Sequence, residues 1–231
     1  LPSNIMISDS IWHVEPSDII YSKDHLTIDH FAVQHNRQHI IVSGLASNNK
    51  DDKLTADLRE IDLSYILNLL NFHAVSFSGK TSGTAEIVSA FHNPEATANL
   101  QVEDFKFEGG RMGNLQATAV YDNVNGKINL NAIAQEDGQK TIISGYVSPK
   151  NDNIDLDIEA EDTNVEFLKS FCGSFMSNIE ASASGKVKIA GPLSAINLSG
   201  ELVANGSLKI TPTNTTYRLA NDIIRMIPNR I

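Results

Sequence analysis

The chain has 231 residues, of which 41% are hydrophobic, enough for a substantial apolar core and too many for a disordered segment. Its formal charge is −10, from 18 Lys and Arg against 28 Asp and Glu, and no basic cluster is present that could neutralise a run of phosphates, so nucleic acid is not the expected partner. A single cysteine, Cys172, excludes an intrachain disulfide framework, and no Cys or His spacing matches a structural zinc site.

No apolar run approaches the roughly 20 residues needed to cross a bilayer, and the richest, Tyr65 to Phe72, is interrupted by Asn68 and Asn71. The N-terminal Leu1-Pro2-Ser3-Asn4 has no signal-peptide character, and Ile231 falls inside an apolar-periodic stretch. Both ends therefore read as cuts through a longer chain, with any anchor or address outside the segment.

Alternation of apolar and polar residues at period two dominates, the pattern of strands with one buried and one wet face. In chain order it appears in Ala96, Ala98, Leu100 and Val102, then in Ile128, Leu130, Ala132 and Ala134. It returns in Ile154, Leu156, Ile158 and Ala160, and again in Ile196, Leu198, Gly200, Leu202 and Ala204. Between Val102 and Phe105 the phase slips by one residue, which predicts a bulge at Glu103-Asp104. Glu108-Gly109-Gly110, Asn125-Gly126, Asp137-Gly138 and Asn205-Gly206 read as turns of a meander.

Two short helices interrupt the strands. The first, near 62–71, places Leu63, Ile66, Leu67 and Leu70 on one face with Asp62 as its cap. The second, near 163–172, opens on the capping-box spacing Thr163-Asn164-Val165-Glu166, with Val165, Phe167, Leu168 and Phe171 apolar and Gly173 at its end. Each is too short to stand alone in water, so each is expected to cap an apolar surface.

These pieces recur in order. Ser43-Gly44 and Ser47 return as Ser144-Gly145 and Ser148, 101 positions on, and Leu67 and Leu70 return as Leu168 and Phe171. Past the helices, Gly83-Thr84-Ala85-Glu86-Ile87 returns as Gly185-Lys186-Val187-Lys188-Ile189, 102 positions on, and Leu100 as Leu202. The expected organisation is two β repeats, 1–120 and 121–231, stacked so that one apolar surface runs through both.

Residues able to do chemistry are few. Asp155, Asp157, Glu159 and Glu161 share one strand face opposite the apolar one, which reads as a solvated outer surface and not as a converging carboxylate pair. His25, His30, His35 and His39 do not keep to one face of a strand or a helix, and no metal site is expected from them. Cys172 reads as core packing beside the second helix. Neither a phosphate loop nor a Gly-x-Ser-x-Gly elbow occurs, so neither catalytic residues nor cofactors are expected and the chain reads as non-enzymatic.

What remains is the apolar face, built of aliphatics, with aromatics only 6% of the chain. It suits either an ordinary sandwich core or a sheet curled lengthwise into a trough able to take acyl chains. The candidate groove-lining residues are Leu100, Val102, Ile128, Leu130, Ile154, Leu156, Ile158, Ile189, Leu198 and Leu202.

Several segments resemble the large TamB proteins of Bacteroidetes, within the AsmA-like, bridge-like lipid transfer superfamily. They are Trp12-His13-Val14-Glu15-Pro16, the Ile61-Asp62-Leu63 to Leu70 helix, Ser184-Gly185-Lys186-Val187-Lys188-Ile189-Ala190-Gly191-Pro192-Leu193, and Leu198-Ser199-Gly200 through Thr215-Thr216-Tyr217-Arg218-Leu219. The resemblance implies an all-β fold, an elongated, twisted antiparallel sheet curled into a taco-like groove. It implies a periplasmic segment of a protein anchored in the inner membrane and reaching an outer-membrane partner of the Omp85 class. It also implies outer-membrane biogenesis as the function, through phospholipid transport, assembly and secretion of outer-membrane proteins, or both, with phospholipid acyl chains and unfolded outer-membrane proteins as clients. The alternatives are a structural, adhesin-like β array with closed cores, and a carbohydrate-active β enzyme, which would need convergent carboxylates.

Overall fold

A computed structural model describes residues 3–7, 10–69 and 75–228, without the side chains of Leu69 and Phe171. In chain order the strands are β1 (Ser3–Ile7), β2 (Ser10–Val14), β3 (Ile19–Tyr21), β4 (His25–His35), β5 (Gln38–Ser47) and β6 (Lys53–Asp62), followed by helix α1 (Leu63–Leu69). Then come β7 (Phe77–Val88), β8 (Glu95–Phe107), β9 (Gly110–Asp122), β10 (Lys127–Glu136), β11 (Gln139–Ser148) and β12 (Asn153–Asn164). Helix α2 (Leu168–Cys172), β13 (Met176–Gly191), β14 (Asn197–Ile210) and β15 (Thr215–Met226) complete the chain.

All 15 strands belong to one antiparallel sheet in which almost every strand pairs with its neighbours in sequence, and β1 and β15 do not meet to close a barrel. The all-β class with two short helices is therefore as the alternation implies. Near the N-terminus, β2 and β3 both lie along β4, as two short pieces on either side of Pro16. The 120/121 repeat boundary lies inside β9, whose pairing with β8 and β10 is continuous there.

Directly opposed residues in an antiparallel pair point to the same side of a sheet. The registers therefore define continuous transverse rows. One runs through Val14, Val33, Ile40, Leu58, Gly83, Leu100, Ala117, Ala132, Ile143, Ile158, Val187, Gly200 and Met226, from β2 to the last strand. The same pairings place Thr84, Asn99, Thr118, Asn131, Ser144, Asp157 and Lys188 in a row on the opposite face. Period-two alternation, in phase across the strands, is what gives the sheet one apolar and one polar face.

The expected bulge at Glu103-Asp104 is present: the β8–β9 register shifts between Val102 and Phe105, and Asp104 has φ 50°. Comparable shifts, each at a positive-φ polar residue, occur at Glu60 and Asp162. At both, the N–H freed by the bulge donates to a serine on the next strand, Glu60 to Ser82 at 3.0 Å and Asp162 to Ser184 at 2.8 Å. These two clasps are related by the 102-residue offset of the sequence repeat.

Three local expectations are corrected. Asn205-Gly206 is not a turn but lies within β14, where Asn205 accepts the N–H of the bulged Asn221 at 2.9 Å. Gly206, at φ 131°, lies so close to β13 that a Cβ would be 2.3 Å from the Glu180 carbonyl oxygen. The Thr163 capping box does not form. Strand β12 continues to Asn164, Thr163 is buried against Thr141 with their hydroxyls 2.7 Å apart, and α2 starts only at Leu168. Cys172 is half-buried and is not a core residue. For α1 the cap is as expected, with Asp62 accepting the Ser64 N–H at 3.2 Å. Leu70 and the rest of that apolar run lie outside the described residues, as does the side chain of Phe171.

Candidate functional site: the apolar face of the curled sheet

All ten candidate groove residues lie on the apolar face. Val42, Ala56, Ala85, Ala98, Ala119, Leu130, Gly145, Leu156, Ile189 and Leu198 make one row, and Leu54, Ile87, Ala96, Tyr121, Ile128, Val147 and Ile154 make another. Leu100 and Ile158 belong to the row through Met226 given above. Val102 and Leu202 fall in a fourth, through Ile61, Thr81, Val102, Leu115, Ala134, Thr141, Ala160, Gly185, Leu202 and Ile224.

Burial differs along the strands. In the fourth row, nearest the helices, Ile61, Thr81, Val102, Ala134 and Thr141 are all buried. Toward the opposite end, Leu54, Ile87, Tyr121, Ile128, Leu130 and Val147 are only half-buried, and Leu198 is exposed. Ile154 and Leu156 are buried exceptions in that region. The apolar face is thus closed at one end of the strands and accessible at the other.

The helices cause this. Leu63 and Leu67 of α1 pack with Val102, Phe105, Met112 and Leu115, while Tyr65 and Ile66 pack with Trp12, Val33 and Ile61. At the second helix, Val165, Phe167 and Leu168 pack with Ile179, Ala181, Ala183 and Ala204. Phe167 also joins the first cluster, with its ring 5.2 Å from that of Phe107.

That contact needs a curled sheet. Cα atoms of β9 and β12, three strands apart in the sheet order, come within 8 Å of each other. A flat sheet would hold them roughly 14 Å apart. Gly110 permits the approach, since a Cβ there would be 2.6 Å from the backbone nitrogen of Phe167. The Ser170 hydroxyl donates to the Glu108 carbonyl at 2.9 Å across the same seam.

The opposite face is polar and cross-linked by ion pairs. Lys188 bridges Asp155 and Asp157, Lys186 meets Glu159 at 3.3 Å, and Lys140 meets Glu161 at 3.8 Å. Hydrogen bonding to Asp155 holds the Lys188 ammonium above its ordinary pKa of 10.5. The four carboxylates that a catalytic reading would use therefore each have a cation, on an exposed surface.

The histidines are dispersed. His39 meets Asp57 at 2.8 Å, His35 lies against Trp12 with the rings tilted and their centroids 5.5 Å apart, and His25 pairs with Asp24 and Ser22. Among the described residues no three His, Cys, Asp or Glu side chains converge as metal ligands would.

A concavity of about 730 Å³ lies between the β10–β11 turn and β12–β13, lined largely by Asp137, Gln139, Asp162, Asn164, Glu166 and Glu180. Its lining is mostly polar, with Ile179 and Ala181 of the second apolar cluster in its wall. Sequence reading had no signal for it, because its walls come from two bulges and a turn distant in the chain.

Compared with known proteins, the chain matches no family model, no curated protein and no solved structure. The class rests on geometry alone: an open, curled antiparallel meander with one apolar face.

Proposed function

We propose that this chain is a non-enzymatic, periplasmic segment of an envelope-spanning, TamB-like protein that carries apolar clients along the inner face of its sheet. The observation that supports this reading is the continuous row of apolar residues and glycines from Val14 to Met226. With strands about 4.8 Å apart, it makes a track of roughly 55–60 Å without a charged side chain.

An acyl chain lying on such a track is shielded from water, at about 0.8 kcal/mol per buried CH₂. An aliphatic floor makes no polar demands, which suits phospholipid tails of varied headgroup. The same rows would also hold alternate apolar side chains of unfolded outer-membrane proteins. Anchoring in the inner membrane and delivery to an Omp85-class partner belong to this proposal through the family resemblance.

A second reading, a structural or adhesin-like module, is favoured by the dry clusters under the two helices, which are closed cores in their own right. Photo-crosslinking in cells separates the two. A probe at Leu130 or Ile158 is expected to capture phospholipid or unfolded outer-membrane protein, while probes at Asn131 and Asp157, one residue along on the polar face, capture neither. Capture of nothing but the chain itself from all four positions would reject the conduit and leave the structural module.

A further inference from the structure

In an asparagine-glycine pair the glycine nitrogen can attack the asparagine side chain with little steric hindrance, because glycine carries no Cβ. The chain holds two such pairs, Asn125-Gly126 and Asn205-Gly206. Both asparagines are exposed, so access to water does not distinguish them. Their backbones do. Asn205 lies inside β14, opposite Ser182 on one side and Ala220 on the other. Its Oδ1 accepts the Asn221 N–H at 2.9 Å, and its Nδ2 donates to Asn221 Oδ1 at 3.2 Å. Ring closure needs the side-chain carbon Cγ folded back onto the next backbone nitrogen. An extended backbone, pressed against β13 at Gly206, holds the two apart.

Asn125 instead sits in the turn between β9 and β10, outside any strand. Gly126 has φ 62°, and among the described residues nothing accepts the Gly126 N–H, so the attacking nitrogen is not tied into the sheet. One contact restrains the side chain. Asn125 Nδ2 donates to Asp122 Oδ2 at 2.6 Å, which draws the amide back toward β9 and away from Gly126.

We propose that Asn125 is a site of spontaneous deamidation in the folded protein, at a rate restrained by Asp122. The Gly126 nitrogen loses its proton and bonds to Asn125 Cγ, the Cγ–Nδ2 bond breaks, and the amide nitrogen leaves with that proton as ammonia. Water then opens the cyclic imide at either carbonyl, giving aspartate or isoaspartate. Water is the only co-reactant. In the product a carboxylate stands where an amide donated, facing the Asp122 carboxylate that the amide used to hold. The isoaspartyl form also lengthens the main chain by one carbon inside the turn. That displaces the Asn125 carbonyl, which accepts the Asn151 side chain at 2.9 Å and ties this turn to the one between β11 and β12. Modification thus loosens two neighbouring turns at the accessible end of the strands, whether or not the apolar face carries a client.

The test incubates the whole chain at neutral and mildly alkaline pH and reads each asparagine by peptide mapping, with electron-transfer fragmentation to separate aspartate from isoaspartate. The expected result in the folded protein is a gain of about 1 Da at Asn125, faster at the higher pH, with Asn205 unchanged. In urea the two sites should react at comparable rates. Asp122→Ala, which frees the amide, should speed the folded reaction about tenfold, and Gly126→Ala should suppress it. Reaction at Asn205 as fast as at Asn125 in the folded chain, or reaction at Asn125 only in urea, would overturn the proposal. An Asp122→Ala rate no higher than that of the parent chain would overturn the restraint. Should that variant not fold, the contrast between Asn125 and Asn205 in the parent chain decides alone.

Discussion

The two ends of the strands have similar alternation but different environments. At the helix end, the row Ile61, Thr81, Val102, Leu115, Ala134 and Thr141 is buried, with Leu63 and Leu67 of α1 and the ring of Phe167 packed into a cluster with Val102, Leu115 and Ala134, and with Phe77, Phe105 and Phe107 beside them. At the far end, Leu54, Ile87, Ile128, Leu130 and Val147 continue the same face without helices over them and stay half-buried. A period-two pattern specifies which side of a sheet is apolar; whether that side is dry depends on what the connections between strands place over it.

Substitutions should separate the ends. Ile61→Ala, in the dry cluster, is expected to cost about 2–4 kcal/mol in denaturant unfolding, while Leu130→Ala at the accessible end costs about 1 kcal/mol or less, because that site is already partly hydrated. Equal losses would mean that the far end is as closed as the helix end.

Next in size is Gly110→Ala. The added methyl meets the Phe167 backbone, so a loss of about 1–3 kcal/mol is expected together with faster amide exchange in α2. A neutral outcome would show that the β9–β12 seam does not hold the curl.

The bulge clasps test the repeat. Ser82→Ala and Ser184→Ala each remove the acceptor for one bulged N–H and should cost about 1 kcal/mol apiece, additively in the double variant, since the sites are far apart.

The smallest effect is a pH dependence at the β9–β10 turn. Hydrogen bonds from the Asn125 side chain and backbone hold the Asp122 carboxyl below its ordinary 3.8. A depressed carboxyl stabilises the fold above that value and ceases to do so as pH falls through the folded one. Asn125→Ala should therefore lower the denaturant midpoint slightly at pH 6, with the difference from the parent protein shrinking at pH 2.5.

Much of the fold was legible because its signals are local. Alternation around Leu100, Leu130 and Leu156 gave the strands and their apolar side, the slip after Val102 gave the bulge, and Asp62 gave the start of α1. Thr163 and Asn205-Gly206 misled for one reason: each carries a side chain or backbone preference suited to a cap or a turn, and each found a stronger use in strand pairing. Thr163 gained a buried hydroxyl partner on β11, and Asn205 gained the orphaned N–H of a bulge on β15.

The ten candidate residues share a face because period two is a property of the backbone, and the sequence alone determined that. It could not determine their exposure. Val102 is buried and Leu198 open because α1 packs against one and, among the described residues, no element covers the other, a matter of which distant segments the curl brings together. Register and curl arise from contacts between residues far apart in the chain. No local pattern encodes them, so only the tertiary structure decided which part of the apolar face is core and which is surface.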